Sequence, residues 1–200
     1  MTKGLTLWND FVRLLLDELR AMPREEIDYF WSTAPARTNC YLNPGHGILP
    51  KIAARLGMTF STEVMRFDGQ FRYKEPGFPL IFVEVENNAD SIADNELEKL
   101  CYVRAPLKLV ITVCKWPNSG LKTRWLKDIA DCANQWLPES SDVVYGFVIG
   151  EAKWVEAERR LGLFFHCFVA DANGMLIEER HSEFIIWFSE PVQVVPAETL

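Results

Sequence analysis

Two carboxylates end a strongly apolar segment of the chain. Glu84 and Glu86 close the run at residues 79–86, PLIFVEVE, whose composition is typical of a strand buried inside a sheet. Residues two apart on a strand point to the same face. Like charges placed there are costly unless a cation, a proton or good hydrogen-bond partners offset them. A hard divalent cation, Mg²⁺ or Mn²⁺, offsets them most simply, and a solvent-exposed strand end is the alternative.

Other acidic residues could join this pair. Asp68 follows an earlier predicted strand and could supply a third carboxylate. Glu63 lies five residues before Asp68, so simple alternation turns it to the opposite face. The remaining acids of residues 90–98 stand at a predicted helix start, where they complement the helix dipole. Asp17 and Glu18, on the first predicted helix, are further candidates.

This pattern of acids resembles the PD-(D/E)xK motif of restriction-endonuclease-like nucleases. Asp68 takes the place of the motif Asp, and Glu84-Val85-Glu86 takes the place of (D/E)xK. Phe67 stands where the motif has Pro, and Glu86 where it has Lys. The helix and strand that follow are similar to the family's common core, α-β-β-β-α-β. The resemblance covers roughly residues 5–115.

The resemblance implies a metal-dependent nuclease acting on DNA phosphodiesters. Asp68, Glu84 and the Val85 carbonyl would bind Mg²⁺ or Mn²⁺, which lowers the pKa of a bound water. Glu86 would bind that water or a second metal, but it lacks the positive charge of the motif Lys. Lys99 on the next helix could supply the charge as a migrated lysine, although a solvated surface role is its alternative. Lys74 is a weaker candidate.

A basic stretch follows directly. Residues 100–127 hold six basic residues and no acidic one. Lys115 lies in a Trp-Pro-Asn-Ser-Gly loop, and Lys122 and Arg124 lie at a predicted helix start. Such a loop and helix start could contact phosphates. The alternative is an ordinary helix with a basic polar face.

Composition limits the class of protein. The chain has 200 residues, 48% of them hydrophobic, and a net charge of −7, which argues against a general electrostatic coat for DNA.

Five scattered Cys predict buried thiols in a reducing cytosol rather than disulfides. No apolar run is long enough to span a bilayer, so we expect a cytoplasmic protein without membrane contact. Of three His, we expect His166 in the core and His46 and His181 in polar connections.

The elements that must position these residues alternate between strand and helix. We expect helices at residues 5–22, 23–31, 51–56, 91–104 and 121–137, and a loop at 34–48. We expect strands at residues 59–67, 79–86, 107–113, 143–149, 161–170, 174–179 and 184–188, with a turn or bulge at Asp68-Gly69 and further strand over 70–74. The Asp171-Ala-Asn-Gly segment predicts a hairpin turn.

These elements predict one α/β domain over residues 1–200. Its mixed central sheet is flanked by helices: residues 5–115 form the nuclease-like core, and residues 116–200 extend the sheet and end in a C-terminal β-hairpin. Three functions fit: a metal-dependent DNA endonuclease, a catalytically inactive binding or scaffold module of the same fold, or a hydrolase of another phosphate ester. A homodimer through the aromatic C-terminal strands is one arrangement for the nuclease. Fold alone does not decide among these functions.

Overall fold

A computed structural model describes residues 1–73, 77–135 and 142–188 of the chain. In these ranges eight strands form one mixed sheet, in the spatial order β1-β2-β3-β4-β5-β6-β7, with β8 also paired to β6. The strands are β1 (Met58–Val64), β2 (Phe67–Tyr73), β3 (Pro79–Glu86), β4 (Leu107–Val113), β5 (Val144–Val155), β6 (Arg160–Asp171), β7 (Leu176–Glu179) and β8 (Glu183–Trp187). The predicted α/β class with a mixed sheet flanked by helices is confirmed.

The centre of the sheet is parallel. Strands β3, β4 and β5 run in the same direction, and the pairs β1–β2, β2–β3 and β5–β6 are antiparallel. The carboxyl ends of β3, β4 and β5 therefore share one edge of the sheet with the amino end of β2. In open α/β sheets this edge is the usual place for ligands.

Helices cover both faces of the sheet. The helices are α1 (Lys3–Ala21), α2 (Arg24–Ser32), α3 (Ala34–Leu42), α4 (Ile48–Arg55), α5 (Leu97–Cys101) and α6 (Ser119–Gln135), and a π-helical turn at Ile92–Glu96 runs directly into α5. Helices α1 to α4 pack with Ile81 and Val83 of β3 into one apolar core. Helices α5 and α6 pack with Phe82 and Phe147 into a second core on the opposite face. Within it, Trp125 stacks on Phe147 at a ring-centroid distance of 5.3 Å.

The buried strands were the most accurately predicted elements. The bounds of β3 and β4 are as predicted, because each is a continuous apolar run whose two faces are buried under the helices. The turn after Asp171 also forms as predicted, with Gly174 at a φ of +74°. The end of α6 was predicted at residue 137, which lies outside the described residues, as do Lys74 and Glu75.

Two helix predictions were wrong. Residues 34–48 are not all loop, because α3 fills Ala34–Leu42 and its start is capped by the Thr33 hydroxyl, which accepts a hydrogen bond from the Ala36 N–H at 3.2 Å. The residues there are turn formers, but the helix is held by burying Ala36 and Tyr41. A second difference concerns Ser91–Arg104, of which only 92–101 is helical.

The first hairpin turns earlier than predicted. Met65 and Arg66 adopt φ values of +55° and +71°, and β2 begins at Phe67. Asp68-Gly69 is therefore part of β2 and not a turn. Gly69 serves packing instead, since a Cβ there would lie 2.4 Å from the Phe60 ring. Asp68 consequently sits beside β3 rather than in a solvent-exposed turn.

No helix in the described part of the chain is both long and apolar enough to cross a membrane.

Gly146 tests the packing of β5 against α1. A Cβ at this position would lie 2.4 Å from the Trp8 ring, which is fully buried. We expect Gly146→Ala to lower the free energy of unfolding by about 1–3 kcal/mol, because the buried ring has no room to move. Urea unfolding measures the change. Gly120→Ala is the control, since the nearest atom to its Cβ is 3.5 Å away; an equal loss in both variants would contradict this explanation.

Candidate functional site

Glu84 is the buried carboxylate of the sheet. It lies on the β3 face that carries Phe82, and its side chain is 3% exposed. An ionised carboxylate in such a place costs several kcal/mol unless partners offset the charge. The groups around Glu84 therefore decide its state.

Asp68 meets Glu84 across the strand pair β2–β3. Gly69 pairs with Val83, so the register places Asp68 opposite Glu84 on the same face. The Val85 N–H donates to Asp68 Oδ2 at 2.8 Å, which fixes the Asp68 carboxylate beside the end of β3. The structure thus brings together Asp68, Glu84 and the Val85 backbone, as the sequence pattern requires.

Lys99 reaches Glu84 from α5, the helix that follows β3. Helix α5 directs the Lys99 Nζ to 2.8 Å from Glu84 Oε1, and the same ammonium contacts Glu96 Oε2. The cluster of Asp68, Glu84, Glu96 and Lys99 is called here the carboxylate–lysine site. Lys99 is about one-third exposed, so the site opens to solvent on the α5 side.

The charges of the site are strongly coupled. Burial raises the pKa of Glu84 to about 8, against the hydrogen bond from Lys99, and the nearby Glu96 and Asp68 carboxylates raise it further. Partial burial opposes the charge on Lys99, but its hydrogen bonds to Glu84 and Glu96 outweigh burial and raise the pKa of Lys99. Lys99 therefore stays cationic, and Glu84 is the group of this pair that exchanges a proton near neutral pH.

Asp68 and Glu84 are the residues of this site that could hold a cation. No group of three or more His, Cys, Asp or Glu side chains is placed to hold a metal within residues 1–73, 77–135 and 142–188. Asp68 and Glu84 offer two carboxylates, and the Val85 carbonyl is the next oxygen along the chain. Mg²⁺ is commonly held by one or two carboxylates together with water and substrate phosphate oxygens.

Glu86 has a local partner. Its Oε1 accepts a hydrogen bond from the Asn88 N–H at 2.6 Å, which shapes the turn after β3. The next residue, Asn87, accepts from Arg37 Nε at 2.7 Å and donates to Thr38 Oγ1 at 3.1 Å, so α3 is tied to the end of β3. A catalytic role for Glu86 stays a prediction.

The other acid candidates lie apart from the site. Asp17 and Glu18 form ion pairs with Arg55, at 3.1 and 2.9 Å, where α1 meets α4. Glu63 is exposed near the end of β1 with a φ of +53°. None of the three reaches the carboxylate–lysine site.

The basic stretch is divided among different surroundings. Lys115 is exposed beyond the end of β4, and Arg124 is exposed on α6. Lys122 pairs with Glu179 of β7 and lies 5.5 Å from the Phe168 ring centroid. Lys108 is fully buried, with its Nζ 3.0 Å from the Tyr145 hydroxyl. Of the predicted phosphate contacts, Lys115 is the one placed at the edge of the sheet that carries the site.

Sequence reasoning missed a second cluster on that edge. Glu151 of β5 is buried; its Oε2 lies 3.0 Å from His166 Nε2, and its Oε1 accepts the Trp116 N–H at 2.9 Å. Lys153 Nζ lies 3.6 Å from the same carboxylate. The signal was available, because Glu151 follows an apolar run in β5 just as Glu84 follows one in β3.

Glu151 and its neighbours border an open pocket of about 650 Å³. Trp31 and Arg37 line it from the α2–α3 side, and Lys115, Lys153 and Trp154 line it from the strand ends. Cys114 also faces it, but burial, with help from Glu151 and Asp90, raises the pKa of this thiol to about 11. Cys114 is therefore protonated and unsuited to act as a nucleophile.

Comparison with known proteins adds no relative. No family model matches the chain, and no curated protein matches its sequence at a significant level.

His166 predicts a pH dependence of stability. Burial lowers the pKa of His166 below its ordinary value of about 6.5, against the opposing influence of Glu151. The unfolded chain binds this proton at higher pH than the folded chain, so stability falls as pH drops below about 6.5. We expect His166→Gln, whose amide can still donate to Glu151, to lose less stability than the wild type between pH 7.5 and 5.5.

Urea unfolding at pH 7.5, 6.5 and 5.5 measures this difference. The control is His46→Gln, since His46 lies on an exposed loop. Parallel curves for wild type and His166→Gln would contradict the prediction.

Proposed function

We propose that the protein is a metal-dependent phosphodiesterase that cleaves DNA. The observation that carries the proposal is the meeting of Asp68, Glu84 and Lys99 in one cluster at the ends of β2 and β3. Two carboxylates and an ammonium at this edge combine the means to hold a cation and to stabilise a negative phosphate. We further propose that the core is of the restriction-endonuclease-like type.

The order of elements supports that assignment. Helices precede β1; β1, β2 and β3 form an antiparallel meander; and α5 leads to β4, which lies parallel to β3. This order is the α-β-β-β-α-β of the family core. Asp68 stands near the start of β2 and Glu84 near the end of β3, the positions that the family motif gives its two acids.

The residues of the site have distinct tasks in this mechanism. Asp68 and Glu84, with the Val85 carbonyl, would hold Mg²⁺, which supplies Lewis-acid polarisation of the phosphate and a more acidic water. The Val85 N–H keeps the Asp68 carboxylate at the end of β3. Lys99 is cationic and stabilises the negative charge that develops on the phosphate oxygens. Lys99 thus supplies the charge that Glu86 cannot.

One observation favours the second candidate, a catalytically inactive binding module of this fold. The Lys99 ammonium already neutralises Glu84 at 2.8 Å, and such an ion pair is also what a purely structural carboxylate would have. The two candidates differ in whether a divalent cation can compete with Lys99 for Glu84.

Cleavage of plasmid DNA in Mg²⁺ and in Mn²⁺ tests the nuclease. We expect Asp68→Asn, Glu84→Gln and Lys99→Met each to reduce the rate by about 100-fold or more, since each removes a charge needed at the reacting phosphate. Glu158→Gln is the control, because Glu158 is exposed in the β5–β6 turn, and its rate should equal that of the wild type. Cleavage that survives Asp68→Asn and Glu84→Gln would remove the site.

Metal binding separates the nuclease from the inactive module. We expect Mg²⁺ or Mn²⁺ to raise the Tm of the wild type and not that of Glu84→Gln, because a ligand that binds only the folded state stabilises it. Lys99→Met should keep the rise in Tm while losing cleavage. Thermal unfolding over a range of metal concentrations measures this. A wild type that neither cleaves DNA nor responds to metal would favour the binding module.

A further inference from the structure

The pocket beside Glu151 lies where β4 ends and β5 continues. Val113, the last residue of β4, pairs with Gly150, and β5 runs on to Val155 alongside β6 only. The space left by the shorter strand forms the pocket. Because Gly150 has no side chain, the Trp31 ring can approach it; a Cβ there would lie 3.3 Å from that ring.

The pocket combines aromatic surface with positive charge. Trp31 lies on one side, with the Arg37 guanidinium 5.3 Å from its ring centroid. Trp154, which is 39% exposed, stands on the strand side. Lys115 and Lys153 bring two further cations to the same space.

The acidic group of the pocket is already engaged. Glu151 is 4% exposed, and its two oxygens lie at hydrogen-bond distance from His166 Nε2 and the Trp116 N–H. Its charge is therefore directed inward, where it holds the Lys115-Trp116 loop in place. Lys153 Nζ, 3.6 Å from the same carboxylate, offsets its charge. Arg37 and Lys115 add two further cations to the lining, so the pocket favours an anion.

The pocket and the carboxylate–lysine site lie at the same edge of the sheet. Arg37 donates to Asn87 at 2.7 Å, and Asn87 immediately follows Glu86 of β3. Both sites lie at the carboxyl edge of the parallel strands, with β4 between Glu84 on β3 and Glu151 on β5. Neighbouring strands are about 5 Å apart, so β3 and β5 are about 10 Å apart, a separation that one extended strand of nucleic acid can span.

We propose that this pocket binds one unpaired nucleotide of the nucleic-acid strand that lies at the carboxylate–lysine site. The base stacks on the exposed Trp154 indole or on Trp31, and the phosphate is held by Arg37, Lys115 and Lys153. Stacking on aromatic rings together with cations along the backbone is how proteins bind single strands. A volume of about 650 Å³ suits a ligand of this size. The inference rests on the proposed function and names its substrate as single-stranded or locally unpaired.

Binding is measured separately from cleavage. The protein is Glu84→Gln in EDTA, so that no strand is cut, and the ligands are a fluorescent oligothymidylate, the same oligomer with abasic sites, a blunt duplex and free dAMP. We expect the oligothymidylate to bind at least about fivefold more tightly than its abasic counterpart, because base stacking is lost in the latter. It should also bind more tightly than the duplex. Fluorescence anisotropy reports the oligomers, and tryptophan quenching reports dAMP.

Pocket variants locate the site. Lys115→Met with Lys153→Met should weaken oligothymidylate binding at least about tenfold and reduce its salt dependence. Trp154→Ala should abolish the difference between the normal and abasic oligomers. Lys51→Met, which removes an exposed cation of α4 that does not line the pocket, is the control and should leave the affinity unchanged. Lys115, Lys153 and Trp154 are exposed or half-buried. Circular dichroism checks that each variant folds.

The outcomes separate the two proposals. Oligomer affinity that is insensitive to the pocket variants, or equal for normal, abasic and duplex DNA, would overturn the pocket. Cleavage by the wild type that persists in that case leaves the nuclease proposal intact. Pocket-dependent binding without any metal-dependent cleavage would instead support the pocket and overturn the nuclease. Binding of dAMP with no binding of the oligomer would make the ligand a free nucleotide and overturn the strand assignment.

Discussion

The carboxylate of Glu84 lies in the apolar interior near the end of β3, where an uncompensated charge would destabilise the fold by several kcal/mol. The surrounding elements are arranged to meet this constraint. Strand β2 brings Asp68 to the Val85 amide, and α5 brings Lys99 to the Glu84 carboxylate. Burial still dominates, because the pKa of Glu84 rises to about 8. A group in this state responds readily to any cation or proton that reaches it, and strong perturbation of this kind is typical of functional sites.

Strand β5 carries a second buried carboxylate, Glu151. Like Glu84, it follows an apolar run within its strand, but its partners are His166 and a backbone N–H rather than an ammonium on a helix. The outcome differs accordingly. Glu84 is paired with a lysine that is about one-third exposed, whereas Glu151 holds a loop beside a pocket that cations line. Both acids lie at the carboxyl edge of β3, β4 and β5.

The ammonium that lies beside Glu84 belongs to Lys99, on the helix α5 that follows β3. Lys99 was one of two lysines that could replace the motif position held by Glu86, and a surface role was its alternative. Periodicity could not choose between them, since the direction of Lys99 depends on how the π-helical turn at Ile92–Glu96 rotates the start of α5. The same uncertainty applied to the basic stretch, in which Lys108 proved to be buried and Lys122 paired with Glu179.

The sequence by itself determined the α/β class and the two central strands β3 and β4, because continuous apolar runs and alternation are local properties. It misplaced the first hairpin and missed α3, since positive φ values at Met65 and Arg66 and the burial of Tyr41 depend on contacts far along the chain. Only the tertiary structure decided that Asp68, Glu84 and Lys99 meet. Strand register and the packing angle of a helix set those distances, and neither is written in the spacing of residues along the chain.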